Sequence, residues 1–355
     1  MKTLLAFAMV AAATGAHAQT TVTLGGVADA ALRQVSNDGR GTERSLVSGG
    51  NATSRLVFRG SEDLGGGLAA SFWLEHGLAL DTGSPAQAAQ FWDRRSTLSL
   101  ASKTLGELRA GRDFVPSYSN WSRYDPFGYV GVGSSSNLIS ASPVGPIKSA
   151  FGSNPNTVVR SSNAVQWLMP SGWGGLEGGL MVAAGEGGTA ATGQHKVVGA
   201  RLGYAGDSFG VSAAHTRSTN DLTGDQAFTD SAIGAQLNLG FARASAAWRR
   251  FEQDAAAQTN LLVGAWVPLG PGELKLSWTR AEMSGSAAGA SIDGNGARQW
   301  ALGYFYNLSK RSALYGTLSH LDNEGAHTLA VPGGISGMAG GGSSRGVEIG
   351  IRHTF

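Results

Sequence analysis

The chain ends in Val347-Glu348-Ile349-Gly350-Ile351-Arg352-His353-Thr354-Phe355, and this segment decides the fold. Val347, Ile349, Ile351 and Phe355 fall on one face, with Glu348, Gly350, Arg352 and Thr354 on the other. A period of two with one apolar and one polar face belongs to a β-strand. The same alternation sets Leu274, Leu276 and Trp278 against Glu273, Lys275 and Ser277, and Trp300, Leu302, Tyr304 and Tyr306 against Gln299, Ala301 and Gly303.

Working outward, tight turns punctuate these strands at 63–67, 103–106, 170–175, 205–207, 238–240, 268–272 and 307–310, each with Gly, Asn, Asp or Pro. Between them lie longer polar stretches near 36–51, 81–90, 114–157, 187–193, 219–226, 253–257, 284–295 and 322–344. Seven short turns alternating with eight long loops give sixteen strands with both termini on the short-turn side. That asymmetry points to an all-β, sixteen-stranded antiparallel transmembrane barrel rather than a soluble sandwich.

Composition agrees. Of 355 residues 54 are Gly, none is Cys, and only 15% are charged. Mean hydropathy is −0.07. Residues 1–18 read as a secretory signal: Lys2, a short apolar run from Leu4 to Ala13, then Ala16-His17-Ala18 as a cleavage site. Residues 19–355 then form the barrel, with a net charge near +1 that excludes a general nucleic-acid binder. No later run is long and apolar enough for a membrane helix, so a closed barrel is the remaining way to span.

Strand parity sorts the charges. Leu56 and Phe58 face outward, so Arg55 and Arg59 point into the lumen. Leu98 and Leu100 face outward and send Arg95 inward; Arg94 follows only if the strand bulges. Val165 and Trp167 send Arg160 inward, and the same sorting takes Arg201, Arg243 and Arg249 inside, with Asp29, Glu75, Glu107 and Glu348 as fewer inward acids. An excess of arginine in a low-dielectric passage concentrates anions; the alternative is that each arginine only pairs with an acid and braces a loop. The longest loop, 114–157, carries Tyr118, Trp121, Tyr124 and Phe127. Such a segment wants packing, either folded inward to narrow the bore or outside as a cap or partner surface.

These residues resemble the trimeric general porins of Gram-negative bacteria, in particular the β-proteobacterial branch with anion-selective members. The resemblance rests on Val22–Asp29, Ser54–Leu68, Arg94–Leu100, Gly106–Arg112, Asn307–Arg311 and Gly350–Phe355, which run from the first strand to the last. Gly25 departs from it, since many relatives carry an aromatic there. It implies a homotrimer in the outer membrane, among lipid and lipopolysaccharide, with loop 114–157 folded inward as a constriction. It also implies a selectivity cluster at Arg55, Arg94, Arg95 and Arg160 with Glu75 nearby, and an assembly signal at Phe355. Arg59, Arg112, Arg201 and Arg243 are expected as secondary lumen charges. The expected solutes are small and anionic.

Catalysis has no support in the sequence. Gly206-Asp207-Ser208-Phe209-Gly210 matches a hydrolase string, but in a tight turn between strands. Gly65–Ala70 matches a dinucleotide fingerprint without a βαβ unit. The histidines are scattered, so no metal or cofactor is expected. A barrel lipase would need a Ser–His pair at the rim, and an adhesin or receptor barrel would have a plugged lumen.

Overall fold

The computed structural model describes residues 20–139, 144–190 and 193–355. The expected signal at 1–18 lies outside the described residues. Sixteen strands cross the wall. They are β1 (Thr20–Asn37), β2 (Gly41–Ser48 continued by Arg55–Gly65), β3 (Leu68–Ala79), β4 (Arg95–Ser102), β5 (Gly106–Phe114), β6 (Arg160–Leu168), β7 (Leu176–Ala183) and β8 (Lys196–Ala205). Then follow β9 (Phe209–Thr219), β10 (Phe228–Asn238), β11 (Arg243–Gln253), β12 (Ala256–Leu269), β13 (Gly272–Ala287), β14 (Gly296–Asn307), β15 (Ser312–Glu324) and β16 (Ser343–Thr354). Each pairs antiparallel with its sequence neighbours. β1 closes on β16 in the register Asp29↔Arg352 and Leu32↔Ile349, so the sheet has no edge. Gly26 and Phe355 seal the seam, each N–H donating to the other's carbonyl at 3.1 Å.

The faces separate as parity requires. Leu98 is 67% and Ile349 67% exposed on the lipid side, whereas inward Asp29 and Arg249 are 0%. At the seam a Cβ on Gly25 would come 2.9 Å from the Phe355 carbonyl, so this position is kept bare.

Two of the expected long loops are not loops. The stretch 36–51 turns tightly at 38–40, and Gly41–Ser48 is strand. It reads as loop because both faces near the rim are polar; outward Arg44 donates to Gln34 Oε1 at 2.8 Å across the β1–β2 pair. The stretch 253–257 is also a tight turn, with Asp254 left-handed at φ 52° in place of a glycine. The strand count is unaffected. β2 is interrupted at 49–54, where the backbone bends over Asp29. The Asp29 carboxylate accepts N–H groups from Gly50, Asn51 and Ala52 at 3.2, 3.0 and 2.7 Å, satisfying donors that lost their ladder partners.

The segment after β5 runs inside the barrel and carries helices α1 (Pro116–Ser122) and α2 (Pro146–Phe151). Trp121, Tyr124, Ile139 and Phe151 are at most 1% exposed within it. Each such side chain contributes about 1.5–3 kcal/mol on burial. The wall is shaped to receive them. Inward Gly199, Gly234, Gly264, Gly303 and Gly346 sit on β8, β10, β12, β14 and β16. A Cβ at these positions would run into Pro116, Tyr124, Pro126, Phe127 and Val132, in that order. The loop thus follows a track of missing side chains around alternate strands. Many inward glycines therefore seat the loop rather than widen the bore.

Polar contacts fix the seat. Ser117 Oγ donates to Asp230 at 2.6 Å, Ser245 Oγ to the Tyr124 carbonyl at 2.7 Å, and Val132 N–H to Glu348 at 3.2 Å. Arg249 forks onto Asp230 at 2.9 and 2.7 Å and also donates to the Val158 carbonyl at 2.9 Å.

Candidate constriction site

With the loop against β8–β16, open space remains between its free edge and the wall of β1–β6. A cavity of about 540 Å³ lies there. Arg55, Arg94 and Arg160 line it on the wall side, and Tyr118, Tyr129 and Ser136 on the loop side; no carboxylate is among its lining residues. Asn51, Ala52 and Thr53, from the break in β2, complete the rim.

Each guanidinium is held. Arg55 Nη1 donates to the Thr53 carbonyl at 2.8 Å, and its Nε lies 3.2 Å from Glu75 Oε1. Arg94 Nε donates to that same oxygen at 2.5 Å. The other Glu75 oxygen accepts Trp73 Nε1–H at 3.2 Å; this carboxylate lies outside the lining of the arginine cavity and lines the adjoining one with Arg55, Arg59 and Trp73. Arg160 lies over the Phe114 ring at 4.5 Å, a cation–π contact, and its Nε is buried with no hydrogen-bond partner among the described residues. Phe114 packs on Tyr118, and Tyr118 edge-on against Tyr129, which joins this arginine to the loop rim.

Arg94 needs no bulge to turn inward. β4 begins at Arg95, and Arg94 stands just ahead of it, with its N–H on the Glu75 carbonyl at 3.3 Å. Arg95 faces inward too but lower. It lies 4.6 Å over Trp73 and donates to Thr97 Oγ1 at 3.1 Å. The structure thus groups Arg55, Arg94 and Arg160, and sets Arg95 apart with Arg59, which lies 5.4 Å over the same indole.

The secondary charges scatter. Arg201 pairs with Glu177 at 2.5 Å, and Arg123 of the loop reaches the same carboxylate, so these charges clamp the loop. Arg243 stacks on Trp266 at 4.0 Å. Arg112 donates to the Asp93 carbonyl at 2.7 Å and Ser162 Oγ at 3.0 Å and lines none of the cavities described here. Sequence reasoning did not single out the loop-side Tyr118 and Tyr129 as rim residues, nor Arg352, whose Nη1 donates to rim residue Asn51 at 2.9 Å. Parity had turned Arg352 inward; its nearness to the rim depends on the break in β2.

Among the described residues no group of three or more metal-ligating side chains exists. Two Ser–His contacts do occur, His215 with Ser231 at 2.8 Å and His353 with Ser312 at 2.9 Å. Both lie on the outer face, and no described carboxylate bonds either imidazole, so neither has the third group that orients a catalytic base.

A model of the Gram-negative porin family matches residues 5–326. Outer membrane porin protein 32 of Delftia acidovorans is 35% identical over 367 residues, covering 100% of this chain and 99% of that protein. An outer membrane porin protein of Bordetella pertussis is 26% identical, covering 94% and 98%. Among solved structures, an anion-selective porin from Comamonas acidovorans matches with a TM-score of 0.78 and 32% identity over 95% of this chain and 100% of that one. The trimer form of OmpT from Vibrio cholerae shares the fold at a TM-score of 0.63 and 13% identity, over 95% and 99%.

Proposed function

The chain belongs to the Gram-negative porin family of outer-membrane channels, and from that premise we propose that it is an anion-preferring diffusion channel for small hydrophilic solutes. The observation that carries this reading is the cavity between wall and loop, where Arg55, Arg94 and Arg160 meet the passage and no carboxylate does. Guanidinium stays charged at any working pH and offers forked donors to carboxylate and other oxyanions. In a narrow passage with low-dielectric walls those charges raise the local anion concentration and oppose cations. Glu75 sets the geometry by holding two of the three guanidiniums. Passage is driven by the solute gradient, and no catalytic step belongs to this reading.

The working form in this reading is a homotrimer in contact with lipid and lipopolysaccharide, exported through the periplasm with residues 1–18 removed after Ala18. Phe355, hydrogen-bonded across the closing seam to Gly26, serves as the assembly signal. Reversal potentials in a KCl gradient test the selectivity: a chloride-preferring potential supports it, and a potassium-preferring one overturns it. Native mass measurement of detergent-solubilised protein tests the trimer.

A further inference from the structure

Closer to the short-turn end of the barrel lies a second lumen cavity, of about 400 Å³. Its lining is unlike that of the first. Two guanidiniums, Arg59 and Arg95, meet at the indole of Trp73, and below them stand Thr21, Thr23, Ser61, Ser71 and Ser99. No carboxylate is among its lining residues.

Strand register explains the arrangement. Thr21 pairs with Ser61, Ser61 with Ser71, and Ser71 with Ser99, so one inward row across β1, β2, β3 and β4 consists of hydroxyls alone. Thr23, Arg59, Trp73 and Thr97 form the next row toward the constriction. Adjacent strands lie about 4.8 Å apart, so the hydroxyls make a continuous ledge under the guanidiniums. Of these, Ser99 bonds Glu107. Thr21, Thr23, Ser61 and Ser71 make no side-chain hydrogen bond within the described residues, and Arg59 has no ion-pair partner there. Arg95 is held through its Nε, 3.1 Å from Thr97 Oγ1 and 3.6 Å from Asp113 Oδ2, so Arg59 and the hydroxyls of Thr21, Thr23, Ser61 and Ser71 are the groups of this cavity left free for a solute.

We infer that this cavity is a second binding station on the conduction path and that it takes polyhydroxylated carboxylates, the sugar acids. A carboxylate bridges Arg59 and Arg95, whose positions are fixed by stacking on Trp73, and the carbinol groups of the same solute lie along the hydroxyl ledge. A hydroxyl both donates and accepts, so a row of them matches a polyol and gains little from an alkyl chain. The volume is in the range of pockets that hold small ligands, about 300–1,000 Å³. The inference rests on the channel reading above and adds the solute class.

The test is block of chloride current through the full-length protein in a planar bilayer, with gluconate, hexanoate and glucose as probes. Two hydrogen bonds at roughly 0.7 kcal/mol each correspond to about a tenfold lower half-blocking concentration for gluconate than for hexanoate. Glucose, which lacks the carboxylate, blocks least. The double variant Ser61→Ala/Ser71→Ala, which removes both bonds, brings the gluconate-to-hexanoate ratio to about one by the same arithmetic. If it does not insert, Thr21→Val/Thr23→Val is the parallel test. Arg59→Gln weakens block by both acids and leaves their ratio. Equal block by gluconate and hexanoate in the unaltered protein overturns the proposal, as does a ratio that survives loss of the hydroxyls. The chloride reversal potential of the same bilayer reads the channel proposal separately. An anion-selective channel that treats the two acids alike defeats only the sugar-acid station.

Discussion

Arg94 Nε lies 2.5 Å from Glu75 Oε1, the same oxygen that Arg55 Nε approaches at 3.2 Å. One carboxylate thus fixes two of the three guanidiniums of the cavity without lining that cavity itself; it lines the adjoining one, with Arg55, Arg59 and Trp73. It positions the cluster and lowers its net charge at once.

Glu75→Gln separates those effects. The amide still accepts a hydrogen bond but carries no charge. One unit charge acting over about 8 Å of water-like medium is worth about 0.5 kcal/mol, or roughly a twofold change in ion occupancy. Chloride gains and potassium loses by that factor, so the chloride-to-potassium permeability ratio is expected to rise about fourfold, read as a larger reversal potential. A fall would mean that the carboxylate's positioning role outweighs its charge.

The glycine track makes a steric prediction. A side chain at Gly234 collides with the Tyr124 ring. Gly234→Val is expected to cost about 1–3 kcal/mol of overpacking and to push the loop off the wall. Thermal unfolding should occur earlier and single-channel conductance should change. Pairing it with Tyr124→Ala, which makes room, should restore conductance toward the original value; no rescue would mean that the loop is not seated there.

Asp230→Asn tests the buried pair under the loop. Arg249 is fully buried and holds Asp230 through two hydrogen bonds. Removing one partner of such a pair costs about 3–5 kcal/mol because the other charge is left uncompensated. A large drop in thermal stability is expected, whereas Arg250→Ala, on the exposed Glu252 pair, should change it by less than about 1 kcal/mol.

His195 gives the fold an acid-sensitive contact outside the strands. It packs edge-on against Phe151 of α2 and accepts a hydrogen bond from Asn220 Nδ2 at 2.9 Å. Burial pushes its imidazole down from 6.5 to about 4, so the folded protein keeps it neutral where the unfolded chain would take up a proton. Its contribution is complete above the unfolded value and is lost as pH falls from 6.5 toward about 4. His195→Phe keeps the packing and removes the titration. The melting temperature of that variant should fall less than the unaltered protein's between about pH 7.5 and pH 4.5.

Much of this was legible in the sequence, because period two survives wherever one face meets lipid. Ile349 and Leu98 announce their strands in that way, and parity alone turned Arg55 and Arg160 inward. What parity could not give were contacts set by departures from regular strand. The division of labour between Arg94 and Arg95 depends on β4 starting between them. The rim at Asn51 depends on a break in β2 organised around Asp29, which reads as an ordinary inward acid. Gly41–Ser48 was hidden because a strand in the polar rim loses its alternation. The glycine track was invisible because its meaning lies in the loop residues opposite, far away in sequence.

The central claim is that Arg55, Arg94 and Arg160 set the selectivity of the passage. The most direct measurement is the zero-current potential in a tenfold KCl gradient, about 0.1 M against 1 M, where the more dilute side screens over about 10 Å. It should be taken on the unaltered protein beside Arg55→Ala/Arg94→Ala/Arg160→Ala. The account expects a chloride-preferring potential that collapses toward zero or reverses in the triple variant, with the channel still open. An unchanged chloride preference in that variant would contradict it.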